Sequence, residues 1–142
     1  LDIARIGLAS EMLGSLQQAF EMTMTYLKER QQFGVAIGTF QALQHRAAKM
    51  FCEIELCKSL VLKGLQAIDE DSPNLAQLAS AAKMKVGATA RLVCNECVQM
   101  FGGVGVTDEY DIGLYLKRCR VADHTFGGES YHLDQFAKFS GF

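Results

Sequence analysis

Apolar side chains recur near the start of the chain at Ile3, Ile6, Leu8, Met12, Leu13, Leu16, Phe20, Met24 and Leu27. Most steps are three or four, the period of a helix with one buried face. The pattern predicts a first helix over 1–30. Gly7 and Gly14 weaken it by about 1 kcal/mol each against Ala, and they are expected to let a neighbouring helix approach closely. Residues 34–39 read as a link, with Gly38 or Thr39 capping a second helix. The stripe of that helix is Phe40, Leu43, Ala47, Met50, Ile54, Cys57, Val61, Leu65 and Ile68. It should end at Asp69-Glu70-Asp71, because carboxylates oppose the negative end of the helix dipole. Ser72-Pro73 then reads as a start, with Ser as the cap and Pro in the first helical position.

A third helix is expected over about 73–100, with a stripe of Leu75, Leu78, Ala82, Val86, Ala90, Val93, Cys97 and Met100. Its many alanines leave room for close neighbours. Gly102-Gly103-Val104-Gly105 stops it. A short amphipathic helix follows at about 111–119, then an irregular stretch over 120–129. A last short helix over about 130–139 carries Tyr131, Leu133, Phe136 and Phe139. Three long helices with short links, plus a shorter one, predict an all-α fold: an antiparallel up-down four-helix bundle, one domain over 1–142.

Composition agrees with helices. The chain has 142 residues, one proline and no tryptophan, long enough for one domain with a real core. Net charge is -2, which supplies no basic field for nucleic acid or an anionic membrane. Every apolar run is broken short of the length of a membrane span. The chain opens at Leu1, inside a helical pattern and without a signal-peptide pattern, so it is expected to be a fragment or one domain of a longer protein. Its five cysteines lie in apolar helical surroundings. They read as reduced core thiols of a cytoplasmic protein, or of an organelle matrix in a eukaryote. Cys94 and Cys97 have CxxC spacing, but no second pair or histidine follows at ligand spacing.

Two stretches carry candidate chemistry. The first is Glu29-Arg30-Gln31-Gln32-Phe33-Gly34, closed by Phe40-Gln41. Arg30 offers a planar fork of donors for phosphate. Glutamine can donate to and accept from the edge of a flavin or adenine, and Phe33 offers a ring face. The blander reading is a charged helix end stopped by glycine. The second stretch is Gln99-x-Phe101-Gly102-Gly103-Val104-Gly105. It follows a helix, whereas phosphate-cradling glycine loops precede one. It is therefore either a helix stop or a place where backbone lies flat against a planar ligand, with Gln99 bonding to it. Ser130, His132 and Asp134 are triad-type residues close in sequence, without a nucleophile elbow or oxyanion loop before them.

The motif Tyr26-Leu27-x-Glu29-Arg30-x-Gln32-Phe33-Gly34-x-x-Ile37-x-x-Phe40-Gln41-x-x-Gln44 resembles the signature of the acyl-CoA dehydrogenase family's C-terminal domain. So do Lys83 in its alanine-rich helix and, at the expected distance, Asn95-Glu96-x-Val98-Gln99-Met100-Phe101-Gly102-Gly103-x-Gly105. Asp108-Glu109-Tyr110, Leu114-Tyr115 and Lys117-Arg118 continue the match in order. The resemblance covers essentially the whole chain. It implies a helical N-terminal domain and a β middle domain outside this chain. It also implies FAD as cofactor and an acyl-CoA thioester as substrate, oxidised to the 2,3-enoyl form. A carboxylate takes the α proton and the flavin receives a hydride; an electron-transferring flavoprotein is the usual electron acceptor. Self-association as a homodimer or homotetramer is implied, with each FAD lying across a subunit interface.

By the same resemblance, Arg30 holds the FAD pyrophosphate of the neighbouring subunit, Phe33 packs on that FAD and Gln41 touches its adenosine part. Gln99 and Gly103 match positions that meet the same cofactor. Glu129 and Ser130 lie near polar positions that face FAD phosphates, where an acid is out of place. The reaction centre departs from the family. Many members read Tyr-Glu-Gly-Thr, with Glu as base, where this chain reads His124-Thr125-Phe126-Gly127-Gly128-Glu129. The base position falls on Phe126 or Gly127. The other known location of the base falls on Ala4. Several explanations stand open: a substitute acid (Glu129 or Asp123), a non-catalytic partner subunit in a hetero-oligomer, a flavin monooxygenase of the same fold, or a base in the other domains. A helical module that serves only oligomerisation is the competing class.

Overall fold

The structure, a computed structural model, describes residues 1–142. Five helices follow one another: α1 (Asp2–Glu29), α2 (Gln41–Asp69), α3 (Leu75–Phe101), α4 (Ile112–His124) and α5 (Glu129–Phe139). The all-α bundle expected from the periodicity is present, and α3 is its axis. It packs against each of the other four helices, whereas α1 meets α2 and α4 as well. Its sequence shows why. Ala79, Ala82, Val86, Gly87, Ala90, Val93, Cys94 and Cys97 are buried on more than one face, and a helix covered nearly all round is a central one.

The core lies where α3 meets α1 and α2, around Met12, Leu16, Ile54, Val61, Val86 and Val93. All five cysteines are free thiols, four of them buried. The CxxC pair fills this core. Burial pushes the Cys97 thiol up to about 11, and the nearby Thr23 of α1 opposes that shift. The neighbouring Cys119 thiol of α4 and burial both push the Cys94 thiol up. Two ion pairs tie α2 to α3: Arg46 with Glu96, and Lys85 with Glu53 at 2.6 Å.

Several local expectations are corrected. The link at 34–39 begins earlier, as a small antiparallel hairpin of β1 (Gln31–Gln32) and β2 (Val35–Ala36), with Gln31 opposite Ala36. A single 3-10 turn then leads to α2. Neither Gly38 nor Thr39 caps that helix; the Thr39 hydroxyl donates back to the Ala36 carbonyl at 2.7 Å. Ser72-Pro73 precedes α3 by a turn: α3 begins at Leu75, and the Ser72 hydroxyl accepts from the Asn74 N–H at 3.3 Å. Ser bonding two residues on competes with helix entry. The fourth helix runs five residues past 119, so 120–124 is helical and not irregular. Gly7 and Gly14 face open space. The close approach belongs to Gly64, where an added β carbon would lie 3.3 Å from Ile6. Ile3 is exposed and outside the core.

Near one end, the Tyr26 ring stacks on Phe101 with centroids 4.2 Å apart, and its hydroxyl donates to the Phe101 carbonyl at 3.3 Å. The C-termini of α1 and α3 therefore share an end of the bundle. The packing account predicts that Leu16→Ala, at a fully buried position, lowers stability by about 2–5 kcal/mol. Urea unfolding followed by circular dichroism checks this.

Candidate functional site

The five residues that the resemblance assigns to the cofactor gather at the end where α1 and α3 finish. Arg30 is the C-cap of α1, exposed, with its backbone N–H on the Tyr26 carbonyl at 2.8 Å. Its guanidinium makes no ion pair within the chain. Phe33 stands at the hairpin tip with φ +56° and is 91 % exposed. Phe40 meets it edge-on at 6.1 Å between ring centroids. Gln41 opens α2, and Gln99 is exposed on the last turn of α3. Gly103 lies in the 3-10 turn of Gly102–Val106 that follows, with open space where a β carbon would stand. The glycine stretch is thus a helix stop, with Gly102 at φ +66°, that also leaves an exposed backbone face. Arg30, Gln41 and Gln99 have no side-chain partner in the chain, so their donors are available to a ligand.

The loop around Phe126 lies toward the other end. Its neighbours are Arg5 at the start of α1 and Lys83 in the first half of α3. Lys83 and Gln99 are separated on one helix by about 24 Å at 1.5 Å per residue. The two groups of candidate residues therefore do not form one pocket within a single chain. Lys83 is 1 % exposed. Its ammonium donates to the carbonyls of Ala122 at 2.9 Å, Asp123 at 2.8 Å and Gly127 at 3.3 Å. Burial pushes it below its ordinary value, and the Asp123 carboxylate opposes that shift. The Phe126 carbonyl accepts from Arg5 Nε at 3.3 Å and contacts His132 Nε2 at 3.1 Å. His132 therefore carries its proton on Nε2, and its buried Nδ1 has no partner. Burial, then the Arg5 charge, push His132 below its ordinary value. Phe126 has φ +61° and Gly127 φ +106°.

The sequence profile described as "Acyl-CoA dehydrogenase, C-terminal domain" matches residues 1–140. The chain belongs to the acyl-CoA dehydrogenase family. It is 33% identical over 138 residues to the mitochondrial short/branched chain specific acyl-CoA dehydrogenase of Bos taurus, covering 97% of this chain and 32% of that protein. It is 36% identical over 121 residues to a subunit of the caffeyl-CoA reductase–Etf complex of Acetobacterium woodii, covering 85% of this chain and 32% of that subunit. Butyryl-CoA dehydrogenase from Megasphaera elsdenii superposes with a TM-score of 0.94 at 29% identity, over 99% of this chain and 37% of that one. The chain spans about a third of the length of the curated relatives it matches. No helix is long and apolar enough to cross a membrane.

Of the positions that the resemblance assigns to the base, Ala4 is exposed, Phe126 is 43 % exposed and Gly127 is half-buried. The candidate substitutes share one cation. Asp123 is 3 % exposed, and its Oδ2 accepts from Arg91 at 2.8 Å. Its Oδ1 has no hydrogen-bond partner and lies against Gly87, where a β carbon would come within 2.3 Å. Glu129 opens α5, and its carboxylate pairs with the same Arg91. Each acid would have to leave Arg91 before meeting a substrate.

Sequence reasoning missed three of these participants. Arg91 and Arg5 stand in no motif, and His132 reads only as a triad-type residue. A signal did exist. Lys83, Gly87 and Arg91 recur at every fourth position, so they share one face of α3. There Lys83 takes carbonyls, Gly87 makes room and Arg91 takes carboxylates.

The His132 shift has a direct consequence. Its folded-state value lies below the ordinary histidine value of about 6.5, so on acidification the unfolded chain takes the proton first, and stability is lost as pH falls. Urea midpoints should fall between about pH 8 and about pH 5.5, a window around the unfolded histidine. The fall should be smaller in His132→Asn, which isolates this group from the carboxylates.

Proposed function

We propose that this chain is the C-terminal helical domain, residues 1–142, of an acyl-CoA dehydrogenase-like flavoenzyme whose N-terminal helical and middle β domains lie outside it. The domain binds FAD and carries self-association, and the whole enzyme introduces a 2,3 double bond into an acyl-CoA thioester. The observation that carries this reading is that an unpaired Arg30 guanidinium, an exposed Phe33 ring and free Gln41 and Gln99 amides share one end of the bundle. A planar fork suits a pyrophosphate, a ring face suits a flat heterocycle, and two amides suit its polar edge. FAD, when bound, supplies the hydride acceptor.

These residues project outward at one end, about 24 Å along α3 from the Phe126 loop. This separation supports the view that they serve a flavin whose reaction centre belongs to a neighbouring subunit. In the chain's own centre, the N–H of Phe126 has no backbone or side-chain partner, so it can donate to a thioester carbonyl without needing a side chain. The family of the matched relatives supports an electron-transferring flavoprotein as the redox partner.

A second reading has an observation of its own. Phe126 cannot take a proton, and Asp123 and Glu129 are both engaged by Arg91. That supports a non-catalytic partner subunit, which lends its cofactor-facing end to a catalytic one.

The test uses the full-length protein. Arg30→Ala should lower FAD affinity by about 10- to 100-fold, the loss expected for a charge-assisted hydrogen bond of about 1.5–3 kcal/mol. Flavin absorbance after gel filtration measures it. An unchanged flavin content would sink the cofactor role and leave a pure oligomerisation module.

A further inference from the structure

The side chains of α1, α3 and α5 that reach the loop joining α4 to α5 all meet its carbonyls. A helix leaves its last carbonyls without intrahelical partners, and a cation there also meets the negative end of the dipole. Lys83 supplies that cation to Ala122 and Asp123 of α4. It does more than cap, because its third contact reaches forward to the Gly127 carbonyl. An ammonium has three donors, and here each has a carbonyl. The side chain thus closes a ring from the end of α4 to the far side of the loop.

Within that ring the backbone takes an unfavourable form. Phenylalanine at φ +61° crowds its β carbon against the backbone and persists only where its surroundings enforce it. Arg5 and His132 fix the Phe126 carbonyl inward, and Lys83 fixes that of Gly127. The outward side of the loop then consists of the Phe126 N–H and its half-exposed ring. A buried ammonium is costly, and a neutral chain of the same length would fill the space. Packing alone gives no reason for the charge; three carbonyls do.

We propose that Lys83 is the positioning residue of the reaction-centre loop, tying the end of α4 to Gly127 and so setting the left-handed backbone that presents residue 126. This rests on the reading that residue 126 stands at the reaction centre. Lys83 itself touches no substrate; it acts through the loop.

The test compares wild-type full-length protein with Lys83→Met, which keeps the length and loses the donors. Amide hydrogen exchange is followed by mass spectrometry, and flavin reduction is followed anaerobically with butanoyl-CoA, 2-methylbutanoyl-CoA and octanoyl-CoA. Exchange over 124–128 should rise at least tenfold while peptides of α1 and α2 stay protected. Flavin content should hold, and the reduction rate should fall at least tenfold. If Lys83→Met does not fold, Lys83→Gln replaces it: its amide is shorter and has two donors in place of three, so exchange over 124–128 should still rise above wild type, by a smaller factor. Unchanged exchange over 124–128, or a rise spread evenly over α1, α2 and α3, overturns the proposal. So does a deprotected loop with an unchanged reduction rate. A wild-type flavin that none of the three thioesters reduces overturns the functional reading instead. The exchange data still decide whether Lys83 holds the loop.

Discussion

The second half of this domain hangs on one buried cation. α4 and α5 are short, and apolar packing on α3 alone does not set the turn between them. Their junction is fixed because the Lys83 ammonium lies inside the bundle with no carboxylate bonded to it and must find oxygen elsewhere. It finds three carbonyls, two on the last turn of α4 and one beyond the bend. That requirement places the C-terminus of α4 against α3 and makes the chain turn at Phe126. The direction of α5 follows from the turn. Gly87 and Arg91 complete the same face: one leaves room for the Asp123 carboxylate and the other holds it.

The bundle separates two tasks along its length. At the end where α1 and α3 finish, the polar side chains are exposed and unpaired, and the aromatic Phe33 is almost fully in solvent. Toward the other end, Lys83, Asp123 and His132 are buried, and each makes at least one hydrogen bond within the chain. The first arrangement suits contact with something outside the chain. The second suits rigidity around a strained loop. One molecule holding both, about 24 Å apart on α3, is what a flavoprotein with shared sites requires, since each subunit then contributes to two centres.

Much of the fold was legible because helices with one covered face announce themselves by period. Leu16, Met50, Ile54 and Val86 were read correctly as interior from spacing alone. The misreadings share a cause. Gly7 and Gly14 looked like packing glycines, but periodicity does not say what lies opposite a helix face. Residues 120–124 looked irregular because their helix is finished by Lys83, 40 residues earlier than Asp123, and no local pattern shows a cap supplied from another helix. The residues proposed to face a cofactor were legible as chemistry: an arginine, an aromatic and two glutamines in ordered motifs. The Arg91 clamp on Asp123 and Glu129 was not, because pairing across three elements is a property of the fold.

The central claim is that Arg30, Phe33, Gln41, Gln99 and Gly103 serve a flavin bound across a subunit interface. The most direct measurement is a crystal structure of the full-length protein with FAD. The account predicts the Arg30 guanidinium within hydrogen-bond distance of an FAD pyrophosphate bound mainly by an adjacent subunit, with Phe33 against that cofactor. A flavin held wholly within one subunit, with Arg30 and Phe33 left in solvent, would contradict it.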